Sequence, residues 1–281
     1  MGKFSRSWAL AKASMAVLKS DKELLVFPLV SGAVALIVAA TFILPMFGMG
    51  MFRNLEAGEA SLPAMAYVWL FCFYVVQYFV IFFFNAALVA AAMIRLEGGD
   101  PTVADGLRAA RERIGPILGY AAIAATVGML LQAMKNKENN VVMRIVGSLL
   151  GVAWTLASFL VVPVLVMQNV GPIDAIKRSV ELLKRTWGEN AIGNVGIGLV
   201  FGLVTALVVV VAAVLVFLAA SVSGALAVTV AVFAVLALVT LGIIQSALAG
   251  VYSAALYRYA TVGEAPAGFS GTGLQTAFQP R

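Results

Sequence analysis

The chain has 281 residues, 62% of them hydrophobic and only 11% charged, with a mean hydropathy of +1.01. So few charges cannot clothe a water-soluble domain of this size, and the composition describes a polytopic membrane protein. The net charge of +6, carried beside long apolar runs, points to anionic lipid headgroups and topology rather than to nucleic acid, and the absence of histidine removes the commonest metal ligand and the commonest general base near neutral pH.

Taken from the N-terminus, Phe4, Trp8, Ala11, Met15 and Leu18 recur at helical spacing with Lys12 and Lys19 at the margins of that face. This predicts an amphipathic helix lying at the membrane interface, or one packed on the spans as protein core. The apolar run Leu24 to Phe47 is long enough to cross a bilayer and too long for a signal core, so it reads as span one with no cleaved leader. A short polar excursion follows to Leu62. Between Ala60 and Ile94 no residue is charged; such a helix would run about 52 Å, so span two must tilt or extend past the hydrocarbon. Its many aromatics surround the helix and suit lipid contact, and Cys72 within it, the only cysteine, permits no internal disulfide.

Arg95 to Pro101 reads as a turn and helix start, with Asp100 as N-cap ahead of Pro101. Val103, Leu107, Ala110 and Ile114 form a second apolar face with Arg108, Arg111 and Arg113 outside it. Gly115 and Pro116 should break that helix before span three, Ile117 to Met134. After a polar loop, span four runs from Ile145 to about Gln168 with Pro163 as a kink, since proline frees the carbonyl four residues earlier.

Pro172 opens a third basic helix. Ile173, Ile176, Val180, Leu183 and Trp187 share one face, flanked by Lys177, Arg178, Lys184 and Arg185. The uncharged stretch Asn190 to Tyr257 fits two further spans with a turn at Ser221, Ser223 and Gly224. Gly198 and Gly202 form a small-xxx-small pair suited to close helix packing, within the chain or at a dimer seam. The tail 263–281, rich in Gly, Pro, Ser and Thr, reads as flexible.

Lys and Arg number fifteen on the side of both termini and four (Arg53, Lys135, Lys137, Arg144) on the other. The positive-inside rule then places both termini in the cytoplasm. The expected fold is all-α, with six transmembrane helices as three repeats of an amphipathic interfacial helix plus a transmembrane hairpin. The units run about 4–94, 101–168 and 172–259 of a single membrane domain, 1–262. Lys12, Ser14, Leu18 and Lys19 match Lys177, Ser179, Leu183 and Lys184 at a constant offset, and Ala110 and Ile114 take the places of Ser179 and Leu183 in the middle unit. Three such units would suit a pseudo-threefold arrangement.

The stretches FSRSWALAKASMAVLKSDKELLVFPLVSG, RLEGGDPTVADGLRAA and VPVLVMQNVGPIDAIKRSVELLKRTWGEN resemble a family of prokaryotic integral membrane proteins of unknown function. The pattern of a basic helix with a Ser followed by a hairpin is more distantly similar to the membrane domain of some glycerophosphodiester phosphodiesterases. The resemblance implies the fold and a place in the prokaryotic cytoplasmic membrane; it implies no activity, because those distant relatives carry their chemistry in a separate soluble domain.

No carboxylate or lysine falls within a span, and no phosphate-binding glycine loop, paired cysteine or nucleophile elbow is present. Neither enzyme activity nor a cofactor is expected. Two readings stay open. In the first, a noncatalytic platform binds anionic lipid or an acidic partner through Lys12, Lys19, Arg108, Arg111, Arg113, Lys177, Arg178, Lys184 and Arg185. In the second, an oligomeric channel or transporter for small solutes or anions has Gln77, Asn85, Gln168, Asn169, Asn190, Asn194 and Gln245 along an intramembrane polar path. For those amides the alternative is interhelical hydrogen bonding.

Overall fold

The computed structural model describes residues 3–48, 64–135, 141–187, 196–263 and 269. The side chains of 3–11, 47–48, 64, 185–187, 196–201 and 203 lie outside that description. Among the described residues every regular element is helical: α1 Lys3–Ser20, a 3-10 turn Lys22–Leu25, α2 Val26–Gly48, α3 Ala64–Leu96, α4 Val103–Glu112, α5 Ile114–Lys135, α6 Val141–Ser158, α7 Val161–Met167, α8 Pro172–Trp187, α9 Gly196–Val222 and α10 Gly224–Val262. Among the described residues six segments are long and apolar enough to cross a membrane: Lys22–Met46, Met65–Leu96, Ile114–Lys135, Val141–Met167, Val204–Val222 and Gly224–Val262. The loops 49–63 and 136–140 and most of the tail lie outside the described residues.

Two compact units form. One contains residues 1–25, 92–100 and 184–281; the other contains 26–91 and 101–183. In the first, α9 and α10 make a hairpin across a tight turn, and α1 packs on both. Ser223 is the N-cap of α10, its hydroxyl accepting the Leu226 N–H at 3.1 Å, so the Ser and Gly turn chemistry is used as expected. Apart from Ala219 beside the turn, the described side chains of the hairpin are buried only near its far end, where Val251–Tyr257 are enclosed without a break. Toward the turn Phe217, Val222 and Phe233 stand more than two-thirds exposed, a face that hydrocarbon would solvate at no cost and water would not.

In the second unit Trp69 of α3 donates to the Phe42 carbonyl of α2 at 3.2 Å, closing the first hairpin, while α5 and α6 pair as the second. The α3 helix is 33 residues long, about 50 Å at 1.5 Å per residue, so the excess length expected for span two is built. Its aromatics do more than face outward. Tyr74, Tyr78 and Phe82 stack along α3 and continue through Tyr120 of α5, with Phe82 and Tyr120 centroids 4.6 Å apart, to Trp154 of α6. Offset ring contacts of this kind add to simple burial. This stripe therefore joins the three helices and stays half-exposed at Tyr74, Tyr78 and Phe82.

Span four departs from a kinked helix. It stops at Ser158 and restarts at Val161, so Pro163 sits in the first turn of α7 rather than inside one continuous helix. A proline has no N–H to continue the ladder and its ring crowds the preceding turn, and here the chain resolves that conflict with a full interruption at Phe159 and Leu160. By contrast Gly115 and Pro116 do not form a break. The chain turns at Arg113 alone, the C-cap of α4, and α5 begins at Ile114 with Pro116 in its first turn, where a missing N–H costs nothing.

Candidate functional site

Of the basic helices α4 and α8 are seated by small residues, while α1 also buries Val17 and Leu18, and the buried faces are rotated from those that the apolar spacing predicts, sharing only Ala110 and Leu18 with them. On α4 the enclosed positions are Gly106 and Ala110, while Ile114 is 41% exposed. On α8 they are Ala175 and Ser179, both 0% exposed, while Ile173 is 61% exposed. On α1 they are Ala13, Ser14, Val17 and Leu18, with Met15 half-buried and Ala11 outside the described side chains. A helix that lies across the ends of spans approaches their backbones closely, and only small side chains allow that. The approach is tightest at Gly106, where a methyl group would stand 2.5 Å from the Ala87 carbonyl oxygen and 2.7 Å from Phe27 Cζ.

Ser179 does more than fit. Its hydroxyl accepts the Leu160 backbone N–H at 3.1 Å, pairing a donor exposed by the interruption of span four. Buried backbone donors are almost always paired, so the serine and the break belong together. Ser14, the matching residue of α1, is equally buried, yet its hydroxyl has no partner among the described residues.

Asp100 is not the cap of α4. Thr102 is: its hydroxyl accepts the Asp105 N–H at 3.2 Å, and the Asp105 carboxylate accepts the Thr102 N–H at 3.1 Å and its hydroxyl at 2.6 Å. This reciprocal capping box satisfies donors at the helix start. Those bonds from Thr102, hydroxyl first and backbone second, with Arg108 beside them, hold the Asp105 carboxyl below its usual range. Asp100 pairs instead with Arg95 at 3.4 Å.

The predicted cations then divide by partner. Arg108 meets Asp105 and Lys177 meets Asp174. Arg113 donates to Asn169 Oδ1 and Arg178 to Gln168 Oε1. Lys12, Lys19, Arg111 and Lys184 are exposed and enter no ion pair among the described residues. The Arg185 side chain lies outside them. Of the proposed polar path, Gln168 and Asn169 serve these arginines, Asn85 and Gln245 are half-buried, and Gln77 is half-buried with its Oε1 enclosed and unpartnered. Asn190 and Asn194 lie outside the described residues. No described atom lies within 4 Å of a methyl added at Gly202, so among the described residues no close approach is made there; the Gly198 side of the pair lies outside the described side chains.

Sequence reasoning missed a cluster in the first unit. Arg258 lies 3.6 Å from Glu97, Arg95 pairs with Asp100 and donates to the Gly99 carbonyl at 3.3 Å, and Asp21 is 6% exposed with its Oδ2 unpartnered. Burial raises the Asp21 carboxyl above its usual range, Arg95 opposes that, and Asp100 and Glu23 reinforce it. The signal was available: each of these residues adjoins the end of a predicted span. Among the described residues no three of Cys, Asp and Glu converge as a metal site would.

Residues 64–269 match the description of a family of unknown function, DUF6159. The chain belongs to that family. The match spans well over half of its length and covers five of the six candidate spans, so membership in DUF6159 and the all-helical, multi-pass architecture stand together. Comparison with curated proteins gives no match, and the likeness to phosphodiesterase membrane domains gains no support from the family match, which names no activity.

Proposed function

We propose that this DUF6159 member is a noncatalytic platform of the prokaryotic cytoplasmic membrane, built from three repeats with both termini inside, whose basic helices hold the anionic surface of the inner leaflet. The observation that carries this reading is the division of labour within those helices. Small residues seat α4 and α8 on the spans, and Ala13 and Ser14 are enclosed beside Val17 and Leu18 on α1; Lys12, Lys19, Arg111 and Lys184 are exposed and enter no ion pair among the described residues. An interfacial cation near an anionic surface contributes about 1 kcal/mol, so a set of this size exceeds what topology needs.

Three parallels support the repeat. Ser14, Ala110 and Ser179 are all within 1% of full burial. The second helix of each hairpin carries an unbroken buried run near its C-terminal end: Ala86–Met93, Leu160–Val166 and Val251–Tyr257. Each run is followed within two residues by a polar group, Arg95, Gln168 and Arg258 respectively.

The test is the composition of lipid carried by the protein extracted in mild detergent from mixed phosphatidylglycerol and phosphatidylcholine bilayers. Phosphatidylglycerol should be enriched, and replacing Lys177, Arg178, Lys184 and Arg185 by Gln should reduce the enrichment. A wild-type protein that shows no preference between the two lipids would remove this function.

A further inference from the structure

Arg113 and Arg178 stand apart from the other partnered cations. Arg95, Arg108, Lys177 and Arg258 each meet a carboxylate. Arg113 and Arg178 meet the neutral amides of Asn169 and Gln168, and neither forms an ion pair with Glu112 or Glu181, which stand near them in sequence. An amide oxygen occupies one of the five N–H donors of a guanidinium and cancels none of its charge. The two side chains are therefore placed and left charged. They come from different helices, yet their acceptors are consecutive residues, with Cα atoms about 3.8 Å apart. Two cations with no carboxylate partner among the described residues, held on adjacent acceptors, repel each other unless an anion stands with them.

The corner is also firmly built. A methyl group on Gly119 of α5 would lie 3.0 Å from Pro172 Cγ, so α5 packs against the first turn of α8, and Ser179 ties α8 to the break before α7. Beside the two arginines the chain exposes apolar side chains. Ile114 follows Arg113 and Met167 precedes Gln168, each 41% exposed, and Leu118 stands 45% exposed one turn further along α5. Guanidinium groups that recognise phosphate, set next to aliphatic surface, match a ligand with an anionic head and acyl chains.

We propose that one anionic phospholipid is held at this corner, its phosphate between Arg113 and Arg178 and its chains along Ile114, Leu118 and Met167. This locates a defined site within the diffuse platform proposed above and rests on that reading.

The experiment is native mass spectrometry of the full chain in mild detergent, titrated with phosphatidylglycerol and, separately, with phosphatidylcholine. Wild type should retain one phosphatidylglycerol under conditions that strip phosphatidylcholine. The double variant Gln168→Glu and Asn169→Asp keeps both arginines and their placement but supplies carboxylates to neutralise them; it should bind that lipid about thirtyfold more weakly. Arg113→Gln with Arg178→Gln should lose it to a similar extent, and Lys12→Gln with Lys19→Gln should keep it. Millimolar inorganic phosphate should leave the lipid bound.

Retention unchanged in the Glu and Asp double variant, measured on protein that elutes as wild type in size exclusion, overturns the site. Equal loss in the Lys12 and Lys19 variant overturns the site but leaves the platform standing. Wild type that prefers neither lipid overturns both. Displacement by inorganic phosphate overturns the lipid as occupant in favour of a free anion.

Discussion

The hydroxyl of Ser179 accepts the backbone N–H of Leu160 at 3.1 Å, nineteen residues back along the chain. Both groups are buried, so removing the hydroxyl leaves a donor that nothing else satisfies. Ser179→Ala should destabilise the protein by about 1–3 kcal/mol, the cost of a buried unpaired polar group. Ser14→Ala deletes an equally buried hydroxyl that has no partner among the described residues, so it should be neutral or stabilising. Thermal unfolding of both variants in one detergent measures the contrast. Equal effects would show that the bond to Leu160 contributes nothing particular.

Gly106 provides a second contrast. An added methyl there would stand 2.5 Å from a backbone oxygen that cannot rotate away, so Gly106→Ala should lift α4 from its seat, at the roughly 1–3 kcal/mol typical of overpacking. Gly202 and Gly242 lie inside helices with no described atom within 4 Å of an added methyl, and alanine at either should gain up to about 1 kcal/mol from helix propensity. The same unfolding assay decides. A tolerated Gly106→Ala would mean that α4 does not pack on α3 as closely as described.

These two cases also mark what the sequence could and could not give. Span number and approximate span limits were legible because twenty-residue apolar runs need no tertiary context. The turn at Ser223 was legible because its chemistry is local. The seating of the basic helices was legible only in part: Ala110 lies on the predicted apolar face and is buried, but periodicity otherwise selects the bulkiest stripe, Ile173 to Leu183 on α8 or Leu107 and Ile114 on α4, while close packing of a short helix on span ends selects Gly106, Ala175 and Ser179. Similarly Asp100 before Pro101 looked like a cap, and Thr102 with Asp105 won because the reciprocal pair satisfies more donors. At the candidate site the cations were legible from composition, and their amide partners were not: Gln168 and Asn169 lie far from Arg113 in sequence, so only the fold joins them.

Asp21 should make stability fall as pH rises. Its carboxyl is raised above the usual value of 3.8 by burial, so the folded state binds its proton more tightly than the unfolded chain does. The sign follows: between the unfolded and folded values the native state holds more protons, and stability from this group declines with increasing pH across that window. Asp21→Asn should therefore raise the melting temperature at pH 7, and the gain should vanish below the unfolded value, where wild type is protonated in both states. A variant less stable at pH 7 would indicate that Arg95 outweighs burial and that the carboxylate is held charged.

Orientation gives the most direct test of the architecture. Cys72 is the only cysteine, so Cys72→Ala yields a background in which single cysteines report sidedness. Lys19→Cys on α1 and Arg111→Cys on α4 replace exposed residues on the side that carries the excess of Lys and Arg. In intact cells a membrane-impermeant maleimide should leave both unlabelled, and permeabilisation should make both react. A cysteine at Arg53 or Lys137, on the opposite side by the same count, should show the reverse. Labelling of Lys19→Cys from outside would invert the topology and put the basic helices on the wrong leaflet for an anionic surface; opposite answers from Lys19→Cys and Arg111→Cys would break the repeat, since two helices in equivalent places must share a side.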